Sequence, residues 1–193
     1  MRYPPDHKPR TRQRILDAAG KAFRRHGFRG AGIDAVMRGA RLTKGAFSQH
    51  FASKDELLAE TIEAVVAEKM GVLFSCARGL AGRDWLRAVI GRYLSIEHLD
   101  DPEGGCPVPA LLSELSRADR KSRAAFERLM TRGVEEFARH LADLAPKEAR
   151  RRARAMQAAC FGAMALARAM PGRKQAEEVV LSTRDSLLEG LGE

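Results

Sequence analysis

Cysteine is scarce in this 193-residue chain, and its three copies, Cys76, Cys106 and Cys160, lie far apart. Their odd number and wide spacing exclude a disulfide framework and the paired cysteines of a zinc site, and they fit a reducing cytoplasm. The five histidines form no H-E-x-x-H pattern either. We therefore expect no metal site and no cofactor.

Long apolar runs are also missing. No stretch approaches the ~18 residues that suggest a membrane-spanning helix, and the basic N-terminus, MRYPPDHKPRTRQR, lacks the apolar segment of a secretory signal. Runs that alternate apolar and polar residues, as strands do, are absent as well. The sequence predicts an all-α protein of the cytoplasm with no membrane partner, and its 45% hydrophobic content is ample for a core.

Acidic residues are few in the first part of the chain. Residues 1–55 contain thirteen Lys and Arg against four Asp and Glu, so this segment carries the whole formal charge of +9, and residues 56–193 are balanced. A charge concentrated in this way favours a polyanionic partner. A solubilising basic tail is the alternative, but here the charges interleave with an apolar periodicity.

Apolar periodicity predicts about nine helices, the first of which ends at Gly27, a residue suited to a left-handed cap. Thr43 is a candidate N-cap for the third helix, and Ser53 forms a capping box with Glu56 at the start of the fourth. The predicted helices span residues 10–26, 33–40, 44–50, 53–77, 83–99, 107–117, 119–144, 147–170 and 174–191.

Residues 42–57, LTKGAFSQHFASKDEL, contain the most informative pattern. Phe47 and Phe51 are four residues apart and predict a buried side, whereas Ser48, Gln49 and His50 between them form a polar strip. Two short helices joined by a tight turn, the second one exposed, make a helix-turn-helix whose second helix fits the DNA major groove. An ordinary helical corner is the alternative reading, and the coincident charge of +9 favours DNA.

The segment TRQRILDAAGKAFRRHGF, followed by GIDAVMRGARLTKGAFSQHFASKDELL, resembles the N-terminal domain of the tetracycline-repressor (TetR) family of bacterial regulators over about residues 10–60. Three departures from the family pattern concern individual contacts. Ala31 and Gly32 replace the usual Thr or Ser, Arg41 stands in a turn that usually has Gly, and Ser48 stands where Tyr is frequent. The remaining chain resembles the family in helix number and length, and residues 105–107, Gly-Cys-Pro, are similar to one branch.

The resemblance implies a DNA-binding domain, residues 9–55, and a regulatory domain, residues 56–193, which dimerises and binds a small effector. We expect a repressor that binds a palindromic operator in double-stranded DNA as a homodimer. The nucleoid would then be its location when it is bound. The residues predicted to contact DNA are Arg10, Arg12, Arg41, Thr43, Lys44, Gly45, Ser48, Gln49, His50 and Lys54.

Two helices near the C-terminus show apolar residues at steps of three and four, which is typical of a helix–helix seam. The stripe predicts a dimer interface, although packing within one chain would give the same pattern. The predicted interface consists of Ala153, Met156, Cys160, Ala163, Ala167, Val180 and Leu187.

An effector pocket is expected among the middle helices, and its composition favours a largely apolar or aromatic ligand. Its candidate lining residues are Phe74, Trp85, Tyr93, Cys106, Leu111, Phe126, Met130 and Phe161. Cys106 precedes a helix start, where amide dipoles would lower the thiol pKa, so release of DNA by thiol modification is a second possibility. A small residue filling a tight corner is the plainer explanation.

Two other functions compete with a specific regulator. A thiol enzyme would use Cys106 with His98, but no residue pattern orients the imidazole or forms an oxyanion site. A nonspecific nucleoid protein would share the basic charge and would lack sequence preference. We predict that the chain is not an enzyme.

Overall fold

The computed structural model describes residues 7–192, and the chain is helical over this range, with no strand in it. The predicted all-α class is therefore confirmed. No helix within the described range is long and apolar enough to cross a membrane. The helices are α1 (His7–Gly30), α2 (Ile33–Gly39), a 3-10 helix (Lys44–Gln49), α3 (Lys54–Thr61), a π-helical segment (Ile62–Val66), α4 (Ala67–Ser75), α5 (Gly82–Tyr93), α6 (Ile96–Asp100), α7 (Val108–Leu115), α8 (Arg120–Arg139), α9 (Pro146–Ala169) and α10 (Arg173–Glu189).

Several helix ends agree with the sequence signals. Gly27 adopts φ 68°, which interrupts α1 near its C-terminus. The capping box at Ser53 forms, because the Ser53 hydroxyl accepts the Glu56 N–H at 3.0 Å and the Glu56 carboxylate accepts the Ala52 N–H at 2.7 Å. Thr43 has the extended backbone of an N-cap but makes no capping hydrogen bond with its side chain to any described residue.

The predicted helix over residues 83–99 is two helices. The chain leaves the helical conformation at Leu94 (φ −93°, ψ 61°), and Ser95 then caps α6 by accepting the His98 N–H at 3.2 Å. Leu94 and Leu99 are both buried, so the apolar pattern continues across the break and hides it.

The N-terminal helices share one core with the middle of the chain. Side chains of α1, α2 and the 3-10 helix, such as Phe23, Met37 and Phe51, pack in the same cluster as Leu111 of α7 and Leu129 of α8. The helices that carry the basic charge therefore rest directly on the helices that follow them.

A second core lies among α5, α8, α9 and α10, and it corrects the predicted dimer interface. The predicted interface residues of α9 are at most 7% exposed within this single chain, and Val180 is fully buried there. Small residues at steps of three and four let α10 and α8 approach α9 closely, so the intramolecular alternative accounts for the stripe. The residues buried in this way are Ala153, Met156, Cys160, Ala163, Ala167 and Val180, and Leu187 packs against the same core as a half-buried side chain.

Candidate DNA-binding surface and regulatory cavity

The helix-turn-helix consists of α2, the turn 40–43 and the 3-10 helix Lys44–Gln49. Phe47 and Phe51 are buried with their rings stacked 5.8 Å apart, and they fix the inner side of the second helix. Arg41 occupies the turn with φ 56°, the one positive φ outside glycine in the described residues. A left-handed residue is what the tight turn requires at this point.

The outer side of this motif is polar and open. Lys44 is ion-paired with Asp34 across the turn, with 3.1 Å between the ammonium nitrogen and the carboxylate, and both side chains remain more than half exposed. Ser48 and Gln49 are exposed. Within the described range, the side-chain hydrogen bond of this pair is the one from the Ser48 hydroxyl to the Gly45 carbonyl at 3.5 Å. The predicted contact residues that the structure places on this exposed side are Arg41, Thr43, Lys44, Gly45, Ser48 and Gln49, and Arg10 is exposed on α1.

Three further predicted contact residues pack against the rest of the fold. The Arg12 guanidinium is bidentate to Glu60, donates to the His50 carbonyl and lies 4.1 Å over the Phe51 ring. Lys54 lies 4.6 Å from the centre of the Phe28 ring, and partial burial lowers its pKa. Arg12 and half-buried His50 thus help to hold the 3-10 helix on α1 and α3.

Sequence reasoning missed two basic residues near the turn. Arg14 of α1 donates to the Ala40 carbonyl and lies with Arg41 along a surface groove, and Arg38 is exposed in the last turn of α2. The sequence signal was available, because both lie on the polar side of an amphipathic helix within the basic segment.

This geometry coincides with a family match. Residues 15–61 match the family model described as bacterial regulatory proteins, tetR family. The matched segment contains the helix-turn-helix and the helices that support it. The N-terminal segment is therefore similar to the helix-turn-helix domain of the tetR family of bacterial regulatory proteins. No curated protein matches the chain.

Solved TetR-like structures share the fold along nearly the whole chain. A TetR transcriptional regulator from Chloroflexus aurantiacus is 22% identical with a TM-score of 0.79, covering 96% of each chain. One from Cytophaga hutchinsonii is 20% identical with a TM-score of 0.78, covering 97% of this chain and 98% of its own. The reduced form of E. coli NemR is 19% identical with a TM-score of 0.77, covering 92% and 95%.

The helices that follow the helix-turn-helix segment enclose a cavity of about 170 Å³. It lies between α4, α5, α9 and the segment 101–106, and Phe137 of α8 closes one side. Four of the predicted pocket residues line it, namely Phe74, Tyr93, Cys106 and Phe161.

The other four predicted pocket residues lie elsewhere. Trp85 is buried in the C-terminal core, stacked on His140 with 4.0 Å between ring centres, and Leu111 is buried in the N-terminal core. Phe126 lines a separate pocket between α7 and α8, and Met130 lines another between α8 and α9. Periodicity shows which side of a helix is apolar, but it does not show where the packing leaves a void.

His98 fixes the wall of the cavity and was not predicted as a pocket residue. Its Nδ1 lies 2.6 Å from the Tyr93 carbonyl, and its Nε2 accepts the Cys106 N–H at 3.2 Å. These partners assign the neutral ring with its proton on Nδ1. Burial lowers the pKa of His98 and favours the same uncharged state.

The structure corrects the expected effect of the helix start on Cys106. Burial raises the pKa of the Cys106 thiol, whereas the hydrogen bond with the Val108 backbone lowers it, and burial is the larger effect. Burial also raises the pKa of Cys76, and that of Cys160 to about 12. All three thiols are therefore protonated at neutral pH. The ring nitrogens of His98 are engaged by backbone atoms, so the imidazole is not set up as a base for Cys106.

The segment 101–106 joins the cavity to α1. The Glu103 carbonyl accepts a hydrogen bond from Arg24, and its carboxylate pairs with Arg25. Gly105 packs against His98 so closely that a Cβ there would lie 2.6 Å from the ring. The segment 101–106 therefore connects one wall of the cavity directly to α1.

Among residues 7–192, no group of three or more His, Cys, Asp or Glu side chains is placed to hold a metal ion.

Proposed function

We propose that this TetR-family regulator is a repressor that binds a palindromic operator as a homodimer and releases it when a small, largely apolar effector occupies the cavity. One observation carries the DNA part of the proposal. The exposed polar side of the 3-10 helix lies in the segment that holds all of the net charge. Because DNA lies in the cytoplasm of bacteria, we place the protein there.

The proposed DNA contacts are of two kinds, those that position the protein on the phosphate backbone and those that recognise bases. We assign phosphate neutralisation to Arg10 and Lys44, and base contacts in the major groove to Arg41, Ser48 and Gln49. Arg12, His50 and Lys54 have partners within the fold, and we propose that they orient the 3-10 helix. Thr43 and Gly45 bring its start close to a phosphate. The domain division at 55/56 is part of this proposal.

A gel shift with the DNA that flanks the gene tests the proposal. Lys44→Ala should weaken binding to all sequences and reduce the slope of affinity against salt by about 1, because one phosphate contact is lost. Gln49→Ala should change the preferred sequence, since base contacts specify. Lys174→Ala, at an exposed position of α10, is the matched control and should change neither the affinity nor the preferred sequence. No sequence-selective band at low salt would refute the proposed function.

The homodimer needs a face other than the predicted one. The outer side of α9 carries small and apolar residues that are exposed in the single chain, and Leu166 there is 52% exposed. Their steps of three and four are those of a helix pair, and a helix-turn-helix reads paired half-sites as a dimer. We propose this exposed side as the dimer interface, formed by Ala155, Ala158, Gly162, Leu166 and Ala169.

Release by thiol modification is a second route, supported by the position of Cys106 in the cavity wall and next to the segment that contacts α1. E. coli NemR, a structural relative, is described in a reduced form, which is a property of that protein. The raised pKa predicts slow reaction at neutral pH. Cys106→Ser should abolish release by an alkylating agent, and unchanged release would refute this route.

A further inference from the structure

Two polar side chains of the cavity wall lack a nitrogen or oxygen partner among the described residues. The Gln157 side chain of α9 is 8% exposed, lines the cavity and makes no hydrogen bond with any described residue. The Tyr93 hydroxyl, on a side chain 5% exposed, has no nitrogen or oxygen partner in the same range, and the Cys106 thiol lies beside it. Buried polar groups are nearly always paired, and a thiol is only a weak partner, so these two side chains in one cavity point to a ligand.

The Gln157 amide is held in place by the lack of a side chain at Gly133 of α8. A Cβ at Gly133 would lie 2.2 Å from the Gln157 nitrogen, so the amide occupies the space that a side chain would fill. Gly133 is buried, and its helix backbone confines the amide on that side. The amide is thus a fixed group in the cavity wall.

The rest of the cavity wall determines the shape and charge of a suitable ligand. Phe74, Phe137 and Phe161 present aromatic rings. The charged lining residues are Lys69, which is half-buried, and Arg92, Glu97 and Asp101, which are exposed. A volume of about 170 Å³ is close to the ~150 Å³ of an apolar cavity that holds benzene. The space therefore suits one ring with a small substituent.

We propose that the cavity binds uncharged, single-ring aromatic molecules that carry a carbonyl oxygen. The Tyr93 hydroxyl and the Gln157 NH₂ group donate to that oxygen, and the phenylalanine rings enclose the ligand ring. A carboxylate is excluded from this class, because the aromatic wall would have to desolvate its charge. The cationic lining residues Lys69 and Arg92 do not offset this cost, since Glu97 and Asp101 balance them in the same lining. The inference deepens the proposed function by giving the effector a chemical class, and it rests on that function for its regulatory meaning.

A matched pair of probes tests the ligand class with the full chain. Acetophenone and ethylbenzene have nearly the same shape, but acetophenone alone carries the acceptor, and benzoate adds a charge. Binding is measured by calorimetry and by the fluorescence of Trp85, the single tryptophan, whose ring centre lies 5.1 Å from that of the cavity residue Phe74. Acetophenone should bind about tenfold more tightly than ethylbenzene, since a hydrogen bond to a buried donor is gained.

Substitutions at Tyr93 and Gln157 test whether these two side chains cause the preference for acetophenone. Tyr93→Phe and Gln157→Leu should each reduce acetophenone affinity by about threefold to tenfold and leave ethylbenzene affinity within about twofold. Gln175→Leu makes the same substitution at an exposed position of α10 and should change neither affinity. Retained ethylbenzene binding shows that a variant is folded. If Gln157→Leu does not fold, Gln157→Met replaces it, and Tyr93→Phe remains an independent test.

Several outcomes would overturn the inference. They are no binding of any probe, equal affinity for acetophenone and ethylbenzene, tighter binding of benzoate, or a preference that survives both substitutions. A gel shift with the same probes separates this inference from the proposed function. Acetophenone that binds as expected but leaves the DNA complex intact refutes the effector role and preserves the ligand class. Release of DNA that does not depend on Tyr93 and Gln157 refutes the ligand class and preserves the regulator.

Discussion

At the scale of single residues, Arg41 shows a conflict between stability and function. Its φ of 56° lies in the left-handed region, where a residue with a Cβ costs about 1 kcal/mol relative to glycine. The TetR resemblance implies glycine at this turn, so arginine here is less stable than the usual choice. A strained residue on the exposed side of a binding motif is expected where its side chain serves the function.

Arg41→Gly should therefore raise the free energy of unfolding by about 1 kcal/mol while weakening operator binding several-fold. Urea unfolding and gel shift measure the two effects on the same protein. Arg38→Gly, three residues earlier in α2, is the control and should lower stability by about 1 kcal/mol, because glycine disfavours a helix. If the Arg41→Gly protein had a lower free energy of unfolding than the parent protein, the backbone at Arg41 would not be strained.

His98 gives stability a defined dependence on pH. Burial lowers its pKa below 6.5 in the folded state, whereas in the unfolded chain it titrates near 6.5. As pH falls through 6.5, the unfolded chain gains a proton that the folded state resists, so the free energy of unfolding decreases toward the folded pKa. The stabilisation is fully present above 6.5.

His98→Gln should therefore reduce the loss of stability between about pH 7.5 and pH 5.5, measured by urea unfolding at each pH. His140, whose pKa is also lowered by burial, contributes with the same sign in both proteins and cancels in the comparison. An identical pH dependence of the two proteins would show that His98 is not the titrating group.

At the scale of helices, local signals were predictable and the break at Leu94 was not. Gly27 and the Ser53 capping box act through neighbouring backbone atoms, so a short stretch of sequence contains their cause. The break in residues 83–99 depends on His98 bonding back to Tyr93, a contact that sequence periodicity does not reveal. The π-helical segment Ile62–Val66 was missed for the same reason, since its apolar stripe reads as continuous α-helix.

The end of α1 depends on a residue of another helix. The Glu114 carboxylate of α7 accepts the N–H groups of Phe28 and, at 2.8 Å, Arg29, which follow the kink at Gly27. Glu114→Ala should lower the free energy of unfolding by about 1–3 kcal/mol, because hydrogen bonds to a charged group are lost. Glu127→Ala, at an exposed site on α8, should have little effect in the same urea experiment. Equal losses for both variants would contradict the role of Glu114.

At the scale of the whole molecule, the sequence predicted the fold class, the DNA-binding segment and the presence of a pocket. It did not predict which surfaces face a partner. The stripe from Ala153 to Ala167 is a helix–helix seam, and its partner is the same chain. A buried side has the same periodicity whichever chain covers it. Four of the eight predicted pocket residues line the cavity, because apolar periodicity indicates which side of a helix is buried. Gln157 and His98 were not predicted, since only the packing of the helices places them in the cavity wall.

Leu166→Lys should convert the dimer to a monomer, because it places a charge in the proposed α9 interface, and operator affinity should fall with it. Light scattering after size-exclusion chromatography measures the change. Leu80→Lys, at another exposed leucine, 46% exposed and outside α9, should leave the mass unchanged. A dimer that persists in Leu166→Lys would place the interface elsewhere.

The separation of charge has a consequence for how the protein finds DNA. Because residues 1–55 carry the whole net charge of +9 and the remainder carries none, the molecule is an electric dipole. In the field of a polyanion such a dipole experiences a torque that turns its basic end forward before contact. Encounters would thus begin in a productive orientation, and the association rate, as well as the affinity, should fall steeply as ionic strength rises.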